Sequence, residues 1–370
     1  MISQRDIPKT IWIHSVLIMG IGLLALYSAS FNNARVGQVV FYDQLFCALL
    51  GLLIMFLLSH FNYRRFFEFA YPVYGFSILF LVLVLFLGRH ALGATRWFTI
   101  GEVSFQPSEF SKLAIILFLG RYLSQRRPKL SFDLTGSLKG FWDDLMIPLG
   151  GVLLSALLIF KQPDLGTAIL IFGIFIIMIY ISGIAHKVFL SLMSFVLVLM
   201  PIIWHFLKPY QRNRLTVFLN PNHDPTGTGY TITQSKIAVG SGQLWGKGWL
   251  AGTQNQLNFL PERHTDFIFS VIGEEWGLLG SLFLIYCYGA IIYCGFMILY
   301  HNKDRFGQLV TMGIVAILAM QVVINIGMNI GLCPVVGITL PLVSYGRTSF
   351  MIFAVMLGFL LSLAKRRTVF

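Results

Sequence analysis

Apolar residues fill long, unbroken stretches of this chain, separated by short polar interruptions. The stretches run 10–30, 39–59, 70–88, 108–125, 145–161, 164–184, 188–207, 268–299, 308–330 and 340–363. A helix needs about 20 mostly apolar residues to cross the hydrocarbon core of a bilayer. In hydrocarbon every backbone polar group must be satisfied within the protein, which leaves helices or a closed barrel. Barrel strands alternate apolar with polar residues; these runs do not, so the pattern predicts helices. The expected fold class is an all-α polytopic membrane protein of about ten transmembrane helices. It forms a single integral membrane domain, 1–370, with one large extracytoplasmic loop, 208–265, between the seventh and eighth spans. The eighth run is too long for one crossing, so its first turns, through Glu274 and Glu275, are expected outside the hydrocarbon. The fourth is short and carries Glu109 and Lys112 near its start.

Composition sharpens the class. Hydrophobic residues make up 56% of the chain and charged residues 11%, whereas a soluble domain carries roughly a quarter charged. Lys and Arg set the orientation. Fifteen fall on the side of the N-terminus, while the opposite side holds six outside the long loop, so both termini are expected in the cytoplasm and the long loop outside. The net charge of +12 is spread over those cytoplasmic loops, where anionic membrane lipids account for it; nucleic acid is not an expected partner. The first run is of spanning length and no small-residue cleavage site follows it, so no cleavable signal peptide is expected. Cys47, Cys287 and Cys294 fall in apolar runs and Cys333 stands apart, which gives neither a disulfide framework nor metal spacing.

Ionisable groups are costly in a membrane, at about 2.5–3.5 kcal/mol each at a helix centre, so polar segments carry information. Four face outward. In the first, Gly93 to Trp97, including Arg96, precedes Phe105-Gln106-Pro107-Ser108-Glu109-Phe110-Ser111-Lys112. Pro107 suits a first helical turn. Glu109 and Lys112 share a face, either as a plain ion pair or as charges lining a cavity. The second, Lys161 to Thr167, sets Asp164 behind Pro163, where a carboxylate suits a helix start. The third is the long loop. It holds Tyr210-Gln211-Arg212-Asn213-Arg214, then Asn220 to Asp224, Gln234-Ser235-Lys236 and the glycines around Trp245 to Gly248, and ends in Leu260-Pro261-Glu262-Arg263-His264-Thr265-Asp266-Phe267. Its glycines do not make a P-loop: Gly248 follows Lys247 where Ser or Thr is required, and Ser241 stands where glycine is required. Asp266 reads as a helix cap or as a base at the membrane surface. The fourth runs from Asn325 through Asn329, Pro334 and Gly337 to Leu340-Pro341-Leu342-Val343-Ser344-Tyr345-Gly346. Irregular backbone at that depth survives only when buried in protein or lining a wet cavity.

Taken in order, the segments Phe105 to Lys112, Gln162 to Thr167, Gln234 to Gly248, Leu260 to Phe267 and Pro334 to Gly346 resemble the shape, elongation, division and sporulation family of polytopic cell-wall proteins. The Gln-Pro-Asp-Leu-Gly-Thr run and the short N-terminal tail favour its rod-shape-determining branch over the division-specific one. The resemblance implies a peptidoglycan glycosyltransferase that polymerises lipid II, a disaccharide-pentapeptide on undecaprenyl diphosphate, during elongation. The implied partner is a class B penicillin-binding transpeptidase of the elongation machinery, in the bacterial inner membrane with the site facing the periplasm. Carried over residue by residue, it makes Asp266 the candidate catalytic base. Glu109, Lys112, Arg96, Arg212, Lys236, His264 and Ser344 become candidates for holding substrate or cation, and Glu109 and Asp266 candidate ligands of a divalent cation, Mg2+ or Mn2+. One departure stands out: where the family usually reads Ser-Tyr-Gly-Gly-Ser, this chain reads Ser344-Tyr345-Gly346-Arg347-Thr348-Ser349. Two rival functions remain at this stage: a lipid II flippase, and a non-catalytic scaffold for the transpeptidase.

Overall fold

The computed structural model describes residues 5–31, 34–91, 94–100, 103–126, 145–184 and 186–366. Gly93 of the first polar segment, and Arg127, Lys129, Lys139 and Arg367 of the charge count, lie outside them.

Each of the ten apolar runs coincides with a helix. They are α1 (Ile7–Ser30), α2 (Ala34–His60), α3 (Arg64–Leu87), α4 (Pro107–Gln125), α5 (Ile147–Lys161), α6 (Leu165–Ile181), α7 (His186–Phe206), α11 (Ile268–His301), α12 (Arg305–Asn329) and α13 (Arg347–Lys365). Six of them, in α1, α2, α3, α11, α12 and α13, are long and apolar enough to cross a bilayer by length and composition; α5, α6 and the first part of α7 are shorter apolar helices. Helix α4 carries Glu109, Lys112 and Arg121 within 19 residues.

Three differences from the expected pattern have local causes. A small antiparallel sheet, β1 (Arg89–Ala91), β2 (Ala94–Ile100) and β3 (Val103–Phe105), precedes α4 in an otherwise helical chain. Facing residues such as Phe98 and Phe105 suit a half-buried pleated surface. The stretch 208–265 is not irregular: it folds into α8 (Pro209–Leu219), α9 (Thr228–Ser241) and the single turn α10 (Thr253–Gln256). The last run starts seven residues late as a helix, because 340–346 form a turn around Ser344.

Two compact units make up the fold. One comprises Met1–His60, Asn213–Met297 and Leu318–Lys365; the other comprises Phe61–Arg212 and Ile298–Ile317 with the C-terminal residues. In the first, polar pairs tie α2 to both ends of α13, Asp43 with Arg347 and Ser59 with Lys365.

Helix α11 breaks at Gly277, whose φ of 65° and ψ of −159° are accessible only to glycine. A break orphans carbonyls on one side and amides on the other. Here the turn after α9 satisfies both sets. Lys247 N and Gly248 N donate to Glu274 O and Glu275 O at 3.0 Å each, and Leu278 N and Leu279 N donate to Gln243 O and Leu244 O at 2.8 and 3.2 Å. Glu274 and Glu275 are buried within the first unit, at 0% and 2% exposed. The Glu274 carboxylate accepts from Lys247 Nζ at 2.8 Å, Gln254 N at 2.9 Å and Asn255 N at 3.2 Å. Glu275 accepts from Ser28 Oγ and, at 3.1 Å, from Asn255 Nδ2.

Candidate active site

Asp266 sits at the end of the turn that leads into α11, half-buried. Its backbone is held from two directions. On one side Asn325 and Asn329, one helical turn apart on α12 and both 0% exposed, each donate a side-chain N–H to Asp266 O at 3.0 Å. Asn329 Oδ1 in turn accepts from Ser270 N at 3.1 Å and Ser270 Oγ at 2.6 Å, and Ser235 Oγ of α9 donates to Asn329 O at 2.7 Å. On the other side Ser344 Oγ donates to Thr265 O while accepting from Leu340 N at 2.8 Å, and Tyr345 N donates to His264 O at 2.9 Å. Buried amides and hydroxyls must be paired, and here their pairing fixes the residue just before an apolar helix.

Gly337 shapes the space in front of the carboxylate. Its φ is +73°, and a Cβ there would lie 3.5 Å from Asp266 Oδ2 and 3.9 Å from Arg214 Nη1. The carboxylate and the guanidinium thus approach one notch that a bare backbone leaves open. Lys236 of α9 is exposed, and the end of its stem lies where a side chain on Gly331 would stand. His264 is half-buried; burial, then the neighbouring Arg263 cation, pulls its pKa down from 6.5 to about 4, so the ring is neutral at neutral pH.

Several sequence candidates are occupied otherwise. Arg96 donates to Gln162 O at 3.0 Å and to Pro163 O, just past the end of α5. Arg212 donates to Trp204 O at 3.0 Å and His205 O at 2.6 Å at the end of α7. Arg263 donates to Ala29 O at 2.7 Å at the end of α1. Helix C-termini leave carbonyls without partners and favour cations, so these arginines close helix ends, a role their sequence motifs did not reveal. Ser344 ties two turns together through its hydroxyl. Asp164 caps α6, accepting from Thr167 N at 3.3 Å, and also from Ser108 Oγ at 3.0 Å. Glu109 pairs with Lys112 at 2.7 Å, with the lysine 0% exposed. Arg96, Glu109, Lys112, Asp164 and Arg212 all belong to the second unit, and Asp266, Arg214, Lys236, His264 and Ser344 to the first. Arg347, the departure from the family pattern, pairs with Asp43 of α2.

The site residue that sequence reasoning missed is Arg214. It lies two positions from Arg212 on α8, and residues two apart do not share a helix face; only the register chose between them.

Among the described residues no three His, Cys, Asp or Glu side chains gather as a metal cage. A small hard cation such as Mg2+ is commonly held by one or two carboxylates and the substrate's phosphates. Asp266 fits that arrangement, whereas Glu109 is engaged by Lys112.

A family model described as cell cycle protein, spanning FtsW, RodA and SpoVE, matches residues 8–369. This chain belongs to that family. It is 39% identical over 350 residues to the peptidoglycan glycosyltransferase MrdB of Escherichia coli (strain K12), covering 93% of this chain and 90% of that protein. It is 37% identical over 363 residues to stage V sporulation protein E of Bacillus subtilis (strain 168), covering 95% of each. Among solved structures, a peptidoglycan synthase complex described as coordinating polymerization and crosslinking matches with a TM-score of 0.79 at 32% identity, covering 96% of each chain. The rod shape determining protein RodA of Thermus thermophilus matches with a TM-score of 0.70 at 30% identity, over 97% of this chain and 96% of that one. This family member is a multi-pass bacterial membrane protein.

Proposed function

We propose that this chain is a peptidoglycan glycosyltransferase that polymerises lipid II during cell elongation and rod-shape maintenance, with Asp266 as general base. The observation that carries the assignment of the base is the anchoring of Asp266: its backbone is pinned by two buried asparagines on one side and by the Ser344 turn on the other, with its carboxylate at the Gly337 notch beside Arg214. Preorganisation of this kind is what a reacting group needs and a surface carboxylate does not. Family membership and the curated relatives named as peptidoglycan glycosyltransferases support the reaction.

The acceptor's GlcNAc 4-hydroxyl gives its proton to the Asp266 carboxylate as its oxygen attacks C1 of the donor's terminal MurNAc. The C1–O bond to phosphate breaks, undecaprenyl diphosphate leaves with the electron pair, and the anomeric centre inverts. A positioned base contributes about 10²–10⁴-fold. Arg214 sits where it can hold the diphosphate's negative charge. A divalent cation, Mg2+ or Mn2+, shared between Asp266 and the substrate's phosphates would add countercharge to the leaving group. His264, neutral at this pH, supplies no charge and serves as an uncharged hydrogen-bonding wall. Lys236 extends the cationic side of the site. The Glu109–Lys112 pair of the second unit is a further proposed substrate contact; removing either member strands the other as a buried charge, at about 3–5 kcal/mol, so its variants need a folding readout.

The site is proposed to face the periplasm, with a class B penicillin-binding transpeptidase of the elongation machinery as partner. Its solved structural neighbour in a peptidoglycan synthase complex supports that pairing.

The test is polymerisation of labelled lipid II by the purified protein, with and without the transpeptidase and a divalent cation. Asp266→Asn should leave at most about 1% of the parent rate at an unchanged unfolding temperature. Strands made at normal yield by that variant would refute the base. Lipid II scrambling in vesicles that survives the substitution would favour a flippase, and intact function in cells without polymerisation in vitro a scaffold.

A further inference from the structure

Two consecutive residues of α2 reach the turn that adjoins Asp266. Arg347 Nη2 donates to Asp43 Oδ2, and Tyr345 Oη donates to the same oxygen at 3.3 Å. Gln44 Nε2, from a residue 1% exposed, donates to Ser344 O at 3.2 Å. So Asp43 and Gln44 hold Ser344, Tyr345 and Arg347 together. Two of these, Ser344 and Tyr345, also grip the Asp266 turn, through Ser344 Oγ to Thr265 O and Tyr345 N to His264 O. A continuous set of polar bonds therefore runs from α2 through the 344–347 turn to the backbone of His264 and Thr265, the two residues before Asp266.

Charge makes the first link unusual. Arg347 is the first residue of α13, and a cation at a helix N-terminus opposes the helix dipole. Asp43 supplies the countercharge that makes the position tolerable, so the guanidinium is directed onto α2. The asparagines on the opposite side of Asp266 are 0% exposed, whereas the Asp43 and Arg347 side chains are 29% and 24% exposed. The α2 link is thus the solvent-accessible anchor of the two.

We propose that Asp43 and Arg347 are positioning residues for the polymerisation step, their ion pair fixing the 344–347 turn so that the Asp266 carboxylate is held in attacking register. The proposal rests on the reading of Asp266 as the base. Neither residue touches the notch at Gly337; both act through the turn. An error of about 1 Å in placing a reacting group lowers a rate by as much as 10²-fold, which sets the size of the expected effect.

The experiment uses the full-length protein with its transpeptidase partner and labelled lipid II. Asp43→Asn and Arg347→Met should lower kcat about 10- to 100-fold while KM for lipid II stays within about twofold. In both, amide hydrogen exchange across residues 262–268 and at Tyr345 should quicken, with the unfolding temperature kept. Arg347→Lys, which keeps the charge, and the swap Asp43→Arg with Arg347→Asp should restore most of kcat and slow the exchange again. If the neutral variants fail to fold, these two carry the test. A swap as slow as the single variants overturns the proposal. So does parental kcat in a folded neutral variant, or a rise in KM alone, which would mean direct substrate contact. Unchanged exchange at 262–268 overturns it as well. Polymerisation by Asp266→Asn would instead defeat the base assignment, and the exchange data would still decide whether the pair fixes the turn.

Discussion

At the scale of single residues, the same side-chain type performs two jobs that sequence does not separate. Arg96 and Arg212 sit in polar motifs as candidate anion binders, yet they and Arg263 donate to carbonyls at the ends of helices. Arg212→Gln should therefore lower the unfolding temperature slightly, with a loss of about 0.3–1 kcal/mol for the missing cation at the exposed end of α7, and leave KM for lipid II nearly unchanged. Arg214→Gln should do the reverse, which steady-state polymerisation beside a thermal melt would reveal. His264 gives a pH signature. Its folded pKa of about 4 lies below the ordinary 6.5, so the unfolded chain binds that proton first. Its contribution to stability is fully present above pH 6.5 and is lost as pH falls from 6.5 toward 4. Melting curves across that window should show the decline, and His264→Gln should flatten it.

At the scale of elements, the run 268–299 illustrates what pattern reading gives and where it stops. Its length showed that one straight crossing was wrong, and Glu274 and Glu275 marked the part that differs. What the pattern did not show is how the excess is accommodated. The helix breaks at Gly277, and the turn after α9 bonds to both sides of the break. A Cβ on Gly277 would stand 2.3 Å from Gly246 N, and one on Gly246 would stand 2.1 Å from Glu275 O. Gly277→Ala should thus destabilise the protein strongly, by several times the about 1 kcal/mol usual for a glycine replaced at positive φ. Thermal unfolding in detergent checks this. The contact cannot be found from spacing, because the two glycines lie 31 positions apart and only folding brings their backbones together. The Asn325–Asn329 pair shows the opposite: two amides four apart on an apolar helix were visible as exceptions, and their burial made them anchors. Asn329→Leu removes the bonds that the buried Ser270 N and Ser270 Oγ donate to its side chain, while Asp266 O keeps its bond from Asn325, so a denaturation curve should show a fall in stability of about 1–3 kcal/mol.

At the scale of the whole molecule, topology is the remaining expectation with a direct test. The distribution of Lys and Arg predicts both termini in the cytoplasm and the segment 208–265 outside. In a variant lacking its natural cysteines, His223→Cys should react with a membrane-impermeant thiol reagent in intact cells, and Lys303→Cys only after the membrane is opened. The opposite labelling would invert the protein and remove the proposed site from the periplasm.

By itself the sequence determined the solvent of this protein, the number and order of its long helices and the motifs that mark its family. These follow from local hydrophobic runs and from residue types at fixed spacing, both of which a linear chain displays. Tertiary structure decided which of the polar residues work on the helices and which face the notch at Gly337. It made Arg96 and Arg263 helix caps and Arg214 the neighbour of Asp266, and it tied Arg347 to Asp43. The reason is physical: Asn325 meets Asp266 across 59 positions of chain, Arg96 meets Gln162 across 66 and Asp43 meets Arg347 across 304, and such geometry exists only once the helices have packed.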